Sequence, residues 1–179
     1  MNRRTTAVPV AVLALVLSLA ACGDDGSGGD AAAPTSQSCE TRPGTAEAPE
    51  GIATDLAQKP EVPTTDAAPP CGLQTSDVVV GDGAEAVEGT TVAVKYVGAF
   101  YGTGEEFDSS WSRGEEETLP VTVGAGQVIP GFEQAIAGMQ VGGRRMVTIP
   151  SDLGYGPTGQ GPIPGDATLV FVLDLVEVV

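Results

Sequence analysis

The feature that most constrains this chain is its ending, "ATLVFVLDLVEV" (Ala167 to Val178), in which Leu169, Phe171, Leu173 and Leu175 alternate with other residues. A period of two puts those four side chains on one side of a strand, and no helix of period 3.6 would gather them. Similar signals recur upstream. In "TTVAVKYVGAF", Val92, Val94 and Tyr96 share one face while Ala93, Lys95 and Val97 share the other. "SDVVVGDG", "LPVTVG" and "RRMVTIP" read as further short strands bounded by turn formers. Only "PGFEQAIAGM" has helical spacing: Pro130 opens it, Phe132, Ala135, Ile136 and Met139 recur on one side, and Gly138 ends it. One short helix among about five or six strands, without a βαβ rhythm, implies an α+β fold with an antiparallel sheet closed over the helix.

The opposite face of the last strand carries Val170, Val172 and Val176, interrupted by Asp174. A sheet face open to water should alternate with more polar residues. Either a segment such as residues 51–70 covers it, or the valines reflect β-propensity on a partly exposed face.

The start of the chain has a different logic. Arg3 and Arg4 precede the apolar run "AVPVAVLALVLSLAA", which is followed directly by Cys22. About 15 apolar residues are short for a bilayer span and suit the h-region of a signal peptide. "LAAC" resembles the lipobox of bacterial lipoproteins, which implies cleavage of residues 1–21 and lipidation of Cys22. Residues 22–50 are small, polar and acidic and read as a flexible tether. Residues 51–72 read as an N-terminal arm, and 73–179 as the folded domain. The expected location is therefore the outer face of a bacterial cell membrane, with membrane contact only through the lipid anchor. Cys39 and Cys71 are left as an even pair in an oxidising compartment, so a disulfide is expected between them. The loop it closes would be worth about 3–4 kcal/mol in the chain-entropy view.

Composition removes most chemistries. The chain has 24 acidic and 8 basic residues, for a net charge of −16, and loss of residues 1–21 deepens that to −18 because only Arg3 and Arg4 go. Such acidity repels nucleic acid. There is no histidine, so Ser-His-Asp, Cys-His and His-based metal sites are excluded. "GAGQVIPGF" has the glycines of a phosphate loop but no lysine, and "EEE" (Glu115 to Glu117) reads as a solvated charge run. Aromatic residues are few, and if several converge the site is an apolar cup rather than a catalytic triad.

The runs "VKYVGAFYGTGEEFDSSWSRG" and "GAGQVIPGFEQAIAGMQVGGRRMVTIPSDLGYGPTGQGPIPGDATLVFVLDL" resemble the FKBP-type peptidyl-prolyl cis-trans isomerases. The markers "FDSS", "QVIPGF", "GMQVGGRR", "LGYG" and "ATLVF" occur in order from about Asp77 to Val178. The resemblance implies a curved antiparallel sheet wrapped around one short helix, with an apolar pocket for proline. Tyr96, Phe107, Val128, Ile129, Phe132, Tyr155, Ile163 and Phe171 match its lining, Asp108 its edge carboxylate, and Arg113 the basic neighbour. Phe132 stands where the family commonly has Trp, Gln127 where it often has Glu, and Gln160 where it sometimes has His.

The implied activity is rotation about X–Pro bonds in exported proteins, with Tyr155, Asp108 and the Ile129 N–H as the catalytic groups. Tyr96, Phe107, Arg113, Val128, Phe132, Ile163 and Phe171 would bind substrate. No cofactor or metal is implied; the partners are proline-containing peptide segments and the macrolide inhibitors of the family. The alternative is a module that holds proline-containing peptides without turnover.

Overall fold

The structure, a computed structural model, describes residues 39–42 and 44–179. The expected signal peptide, Cys22 and most of the tether lie outside the described residues. Among the described residues six strands form one sheet: β1 (Gln74–Val79), β2 (Thr91–Phe100), β3 (Glu106–Ser109), β4 (Leu119–Thr122), β5 (Arg144–Ile149) and β6 (Leu169–Val178). The α-helix α1 (Pro130–Ile136) lies between β4 and β5 and is the one α-helix among the described residues. Every strand pair is antiparallel, in the order β1-β5-β6-β2-β3. β4 shares the β3 edge of β2, pairing with Thr91 to Val94 while β3 pairs with Val97 to Ala99. An antiparallel sheet closed over α1 is the architecture expected from the alternation.

Two boundaries differ from the sequence reading. The "EFDS" segment of β3 is a strand, although its four residues carry too little apolar alternation to be read as one. The helix ends at Ile136, because Ala137 leaves helical geometry and Gly138 takes a left-handed φ of 76°. Met139 lies past the helix yet still reaches the core.

The inner face of the sheet and the apolar side of α1 share one core. Val92, Val94, Leu169, Leu173 and Leu175 meet Phe132, Ala135 and Ile136 there. Close approach of α1 to β5 depends on Gly131, where a Cβ would fall 2.4 Å from Ile149 Cγ2. Glu133 fixes the entry loop of the helix by accepting the Gly126 N–H at 2.7 Å.

The outer face is also closed. Val97, Ala99, Val170 and Val172 are buried although they belong to none of the inner core, and Ile52 and Pro60 of the arm are buried with them. Asp174, which interrupts the valines, accepts two hydrogen bonds of 2.6 Å from the buried Arg144 guanidinium, its register neighbour on β5. The remaining guanidinium protons go to the arm: Nη1 donates to the carbonyls of Ala53 and Asp55, and Nη2 to that of Gln58. Burial pushes the Asp174 carboxyl above its ordinary value, against the opposing pull of Arg144. Cover does not extend to Val176, which is 43% exposed. Cys39 and Cys71 form a disulfide beside a Glu40–Pro70 bridge, and a Thr45–Thr75 bridge ties the preceding segment to β1.

Candidate active site

The even-numbered side of β2 and the odd-numbered side of β6 deliver Tyr96 and Phe171 to the same face, and α1 and β3 add Phe132 and Phe107. These four rings meet edge to face or tilted. Phe132 lies 5.3 Å from Phe171 and 5.9 Å from Tyr96, and Phe107 lies 5.6 Å from Phe171. Such arrangements align ring edges with ring faces and hold the rings stiffly. Val128, Ile129 and Tyr155 pack half-buried against the same cluster, and Ile163 is buried in it.

Gly98 makes this nest possible, and the alternation pattern gave it no role. A Cβ on Gly98 would sit 2.7 Å from Phe171 Cε1 and 2.8 Å from Phe107 Cζ. The available signal was a glycine inside an otherwise apolar strand, which marks a close approach of another group.

Asp108 is held from three sides. It accepts the Tyr96 hydroxyl at 2.5 Å, Arg113 Nη1 at 2.9 Å and the Ser109 N–H at 2.8 Å. Arg113 also donates to the Tyr96 hydroxyl oxygen at 2.9 Å and lies 5.5 Å above that ring. The Tyr96–Asp108–Arg113 triangle therefore forms a fixed polar edge to an apolar cup. Burial, reinforced by the Asp108 hydrogen bond, raises the Tyr96 phenol above its ordinary value, so it stays a donor.

Two donors at the cup have no partner among the described residues. The Ile129 N–H has no acceptor, although the Ile129 carbonyl accepts from Phe132 and Glu133 at the start of α1. Pro130 at the first helical position and the extended Ile129 backbone (φ −58°, ψ 144°) turn that amide away from the helix. The Tyr155 hydroxyl likewise makes no hydrogen bond; burial, then the nearby Asp108 charge, raises its titration. Tyr155 sits between two 3-10 turns, Ser151–Leu153 and Gly156–Thr158. The flap beyond folds back in a tight hairpin, with Gln160 and Ile163 exchanging N–H···O bonds of 2.9 Å. That hairpin delivers Ile163 inward.

Gln127 and Trp111 serve the frame. Gln127 accepts the Thr122 N–H at 3.0 Å. Trp111 stacks beneath Lys95 at 4.4 Å, and Lys95 points to the opposite face of β2 from Tyr96. No group of His, Cys, Asp and Glu suited to a metal ion occurs among the described residues.

An antiparallel sheet packed on α1 and an aromatic cup with a fixed polar edge define the class. The family described as FKBP-type peptidyl-prolyl cis-trans isomerase matches residues 83–176. An FK506-binding protein of Streptomyces anulatus is 50% identical over 124 residues, covering 68% of this chain and 98% of that protein. A probable FK506-binding protein of Corynebacterium glutamicum is 45% identical over 120 residues, covering 67% and 98%. The crystal structure of AtFKBP13 superposes with a TM-score of 0.55 at 37% identity, covering 60% of this chain and 94% of that one. This chain belongs to the FKBP-type peptidyl-prolyl cis-trans isomerases.

Proposed function

We propose that the protein accelerates cis-trans rotation of X–Pro bonds in exported proteins while anchored by lipid at Cys22 to the outer face of the cell membrane. The observation that carries the catalytic part is the pair of donors without a partner among the described residues, the Ile129 N–H and the Tyr155 hydroxyl, on the apolar wall of the cup.

An X–Pro amide resists rotation by roughly 18–20 kcal/mol, because resonance gives its C–N bond double-bond character. Water donating to the carbonyl favours the planar, charge-separated form. In the cup, Phe107, Phe132, Ile163 and Phe171 grip the prolyl ring, and Val128 and Ile129 line the wall. The reacting amide leaves water and its resonance weakens. The Ile129 N–H and the Tyr155 hydroxyl bond carbonyls of the flanking peptide and hold it in the twisted geometry, so the contacts favour the transition state over either planar isomer. Asp108, already occupied by three donors, acts mainly by fixing Tyr96 and Arg113 at the rim, and its charge is a secondary influence on the twisted amide. No bond is made or broken, so neither a general base nor a cofactor is required.

A proline-isomerisation assay on a short peptide, with and without a macrolide inhibitor of the family, tests this reading. The expected result is acceleration that the macrolide abolishes. Peptide binding without acceleration would replace it with a module that holds proline-containing segments. Labelling of Cys22 by a lipid precursor in a bacterial host tests the anchor.

A further inference from the structure

β3 carries Phe107 and Asp108; bonds to Tyr96 and Arg113 hold its Asp108–Ser109 end, whereas its Glu106 end is weakly held. It has four residues, stands at the sheet edge, and pairs with β2 through three register positions interrupted by an irregularity at Gly98/Ala99. Its outer side faces a cavity of about 450 Å³ bounded by Lys59, Pro60 and Val62 of the arm and by Val97, Thr103 and Glu106. The cavity lies across the sheet from the cup. Close packing therefore does not hold β3 from this direction.

Discrete ties from the arm do. Lys59 Nζ lies 2.7 Å from Glu106 Oε2 and 3.0 Å from Oε1, and Glu106 is the residue immediately before Phe107. The Thr65 N–H donates to the Gly102 carbonyl at 3.0 Å, in the turn that joins β2 to β3. The Tyr101 hydroxyl of the same turn donates to the Ala68 carbonyl at 3.2 Å. The arm is fixed on both sides of these ties, by Arg144 at Ala53, Asp55 and Gln58 and by the Cys39–Cys71 disulfide.

We propose that the arm is a brace for the cup, and that Lys59 is a positioning residue which sets Phe107 by holding Glu106, the unfixed end of β3. This rests on the isomerase reading. Phe107 supplies one wall, and a shift of β3 along the cavity would widen the cup before the core is disturbed. The loss should therefore appear mainly as a higher KM.

The test uses the full chain. Lys59→Glu should lower kcat/KM about threefold to tenfold, chiefly through KM, with macrolide affinity falling in proportion. That is somewhat more than removal of a half-exposed pair alone would cause, because the reversal adds repulsion. Lys59→Arg should retain activity, and Lys59→Glu combined with Glu106→Lys should recover it to within about twofold. Unchanged KM and macrolide affinity in Lys59→Glu would overturn the brace, as would failure of the double exchange to recover either. An inactive wild-type chain would instead sink the isomerase reading, and macrolide affinity would still report on the brace.

Discussion

Arg144 and Asp174 form a two-pronged ion pair, both contacts 2.6 Å, buried on the face of the sheet opposite the cup. Neither group would be tolerated there alone. The pair succeeds because the arm supplies three carbonyl acceptors for the remaining guanidinium protons. The arm in turn is positioned by that guanidinium, so cover and pair depend on each other.

Replacing Arg144 by Met should therefore cost about 3–5 kcal/mol, since Asp174 would be left buried without its partner. Denaturant unfolding measures the loss, and limited proteolysis should cut the arm between residues 53 and 60 sooner than in the wild type. Adding Asp174→Leu should restore much of the stability. A loss below about 1 kcal/mol in the single variant would mean that the pair does not secure the arm.

The contrast between the two faces explains how far the sequence could be read. The inner face was legible because alternation in β2 and β6 places Val92, Val94, Leu169, Leu173 and Leu175 together by geometry alone. The cup followed from ordered motifs, and its rings do converge. The outer face was legible only in part: its valines suggested cover by a segment such as residues 51–70, which the arm supplies, but the carbonyls of Ala53, Asp55 and Gln58 that complete it leave no mark on residue identity. Asp174 looked like a break in an apolar face when it is the acceptor of a buried pair. β3 escaped notice because its neighbours hold it, and no pattern of its own declares a strand.

Gly98 should not tolerate a side chain. Its missing Cβ leaves room for Phe107 and Phe171, whose nearest atoms would lie 2.8 and 2.7 Å from an added carbon. Gly98→Ala should force the rings apart, destabilising the fold by about 1–3 kcal/mol. Peptide and macrolide affinity should fall with it. Calorimetric titration beside a thermal melt tests both effects, and wild-type affinity at unchanged stability would show that the rings have slack.

Tyr155 separates hydrogen bonding from packing. Its hydroxyl has no partner among the described residues, so Tyr155→Phe removes nothing from the free protein's hydrogen bonding. The melting temperature should be unchanged while kcat/KM falls about threefold to tenfold, the net worth of one hydrogen bond. Phe107→Ala should impair turnover as well, through loss of the wall, but with a measurable loss of stability. Full activity in Tyr155→Phe would remove the hydroxyl from the mechanism.

The pH profile follows from the same groups. With no histidine in the chain, no imidazole titrates at the cup near neutrality. Tyr96 and Tyr155 are both raised by burial, so their phenols keep their protons beyond the ordinary value near 10. Turnover should therefore be flat from about pH 6 to pH 9. The linkage has a definite sign. Above the unfolded phenol value, the unfolded chain loses these protons while the native chain retains them, so stability falls as pH rises. Their contribution is complete below about pH 10 and disappears as pH passes through the raised native values. Denaturant melts at pH 8, 9, 10 and 11 should show a plateau and then a decline, with Tyr155→Phe removing part of the decline. A bell-shaped rate profile centred near neutrality would contradict this assignment, because it would require an acid-base pair that the cup does not contain.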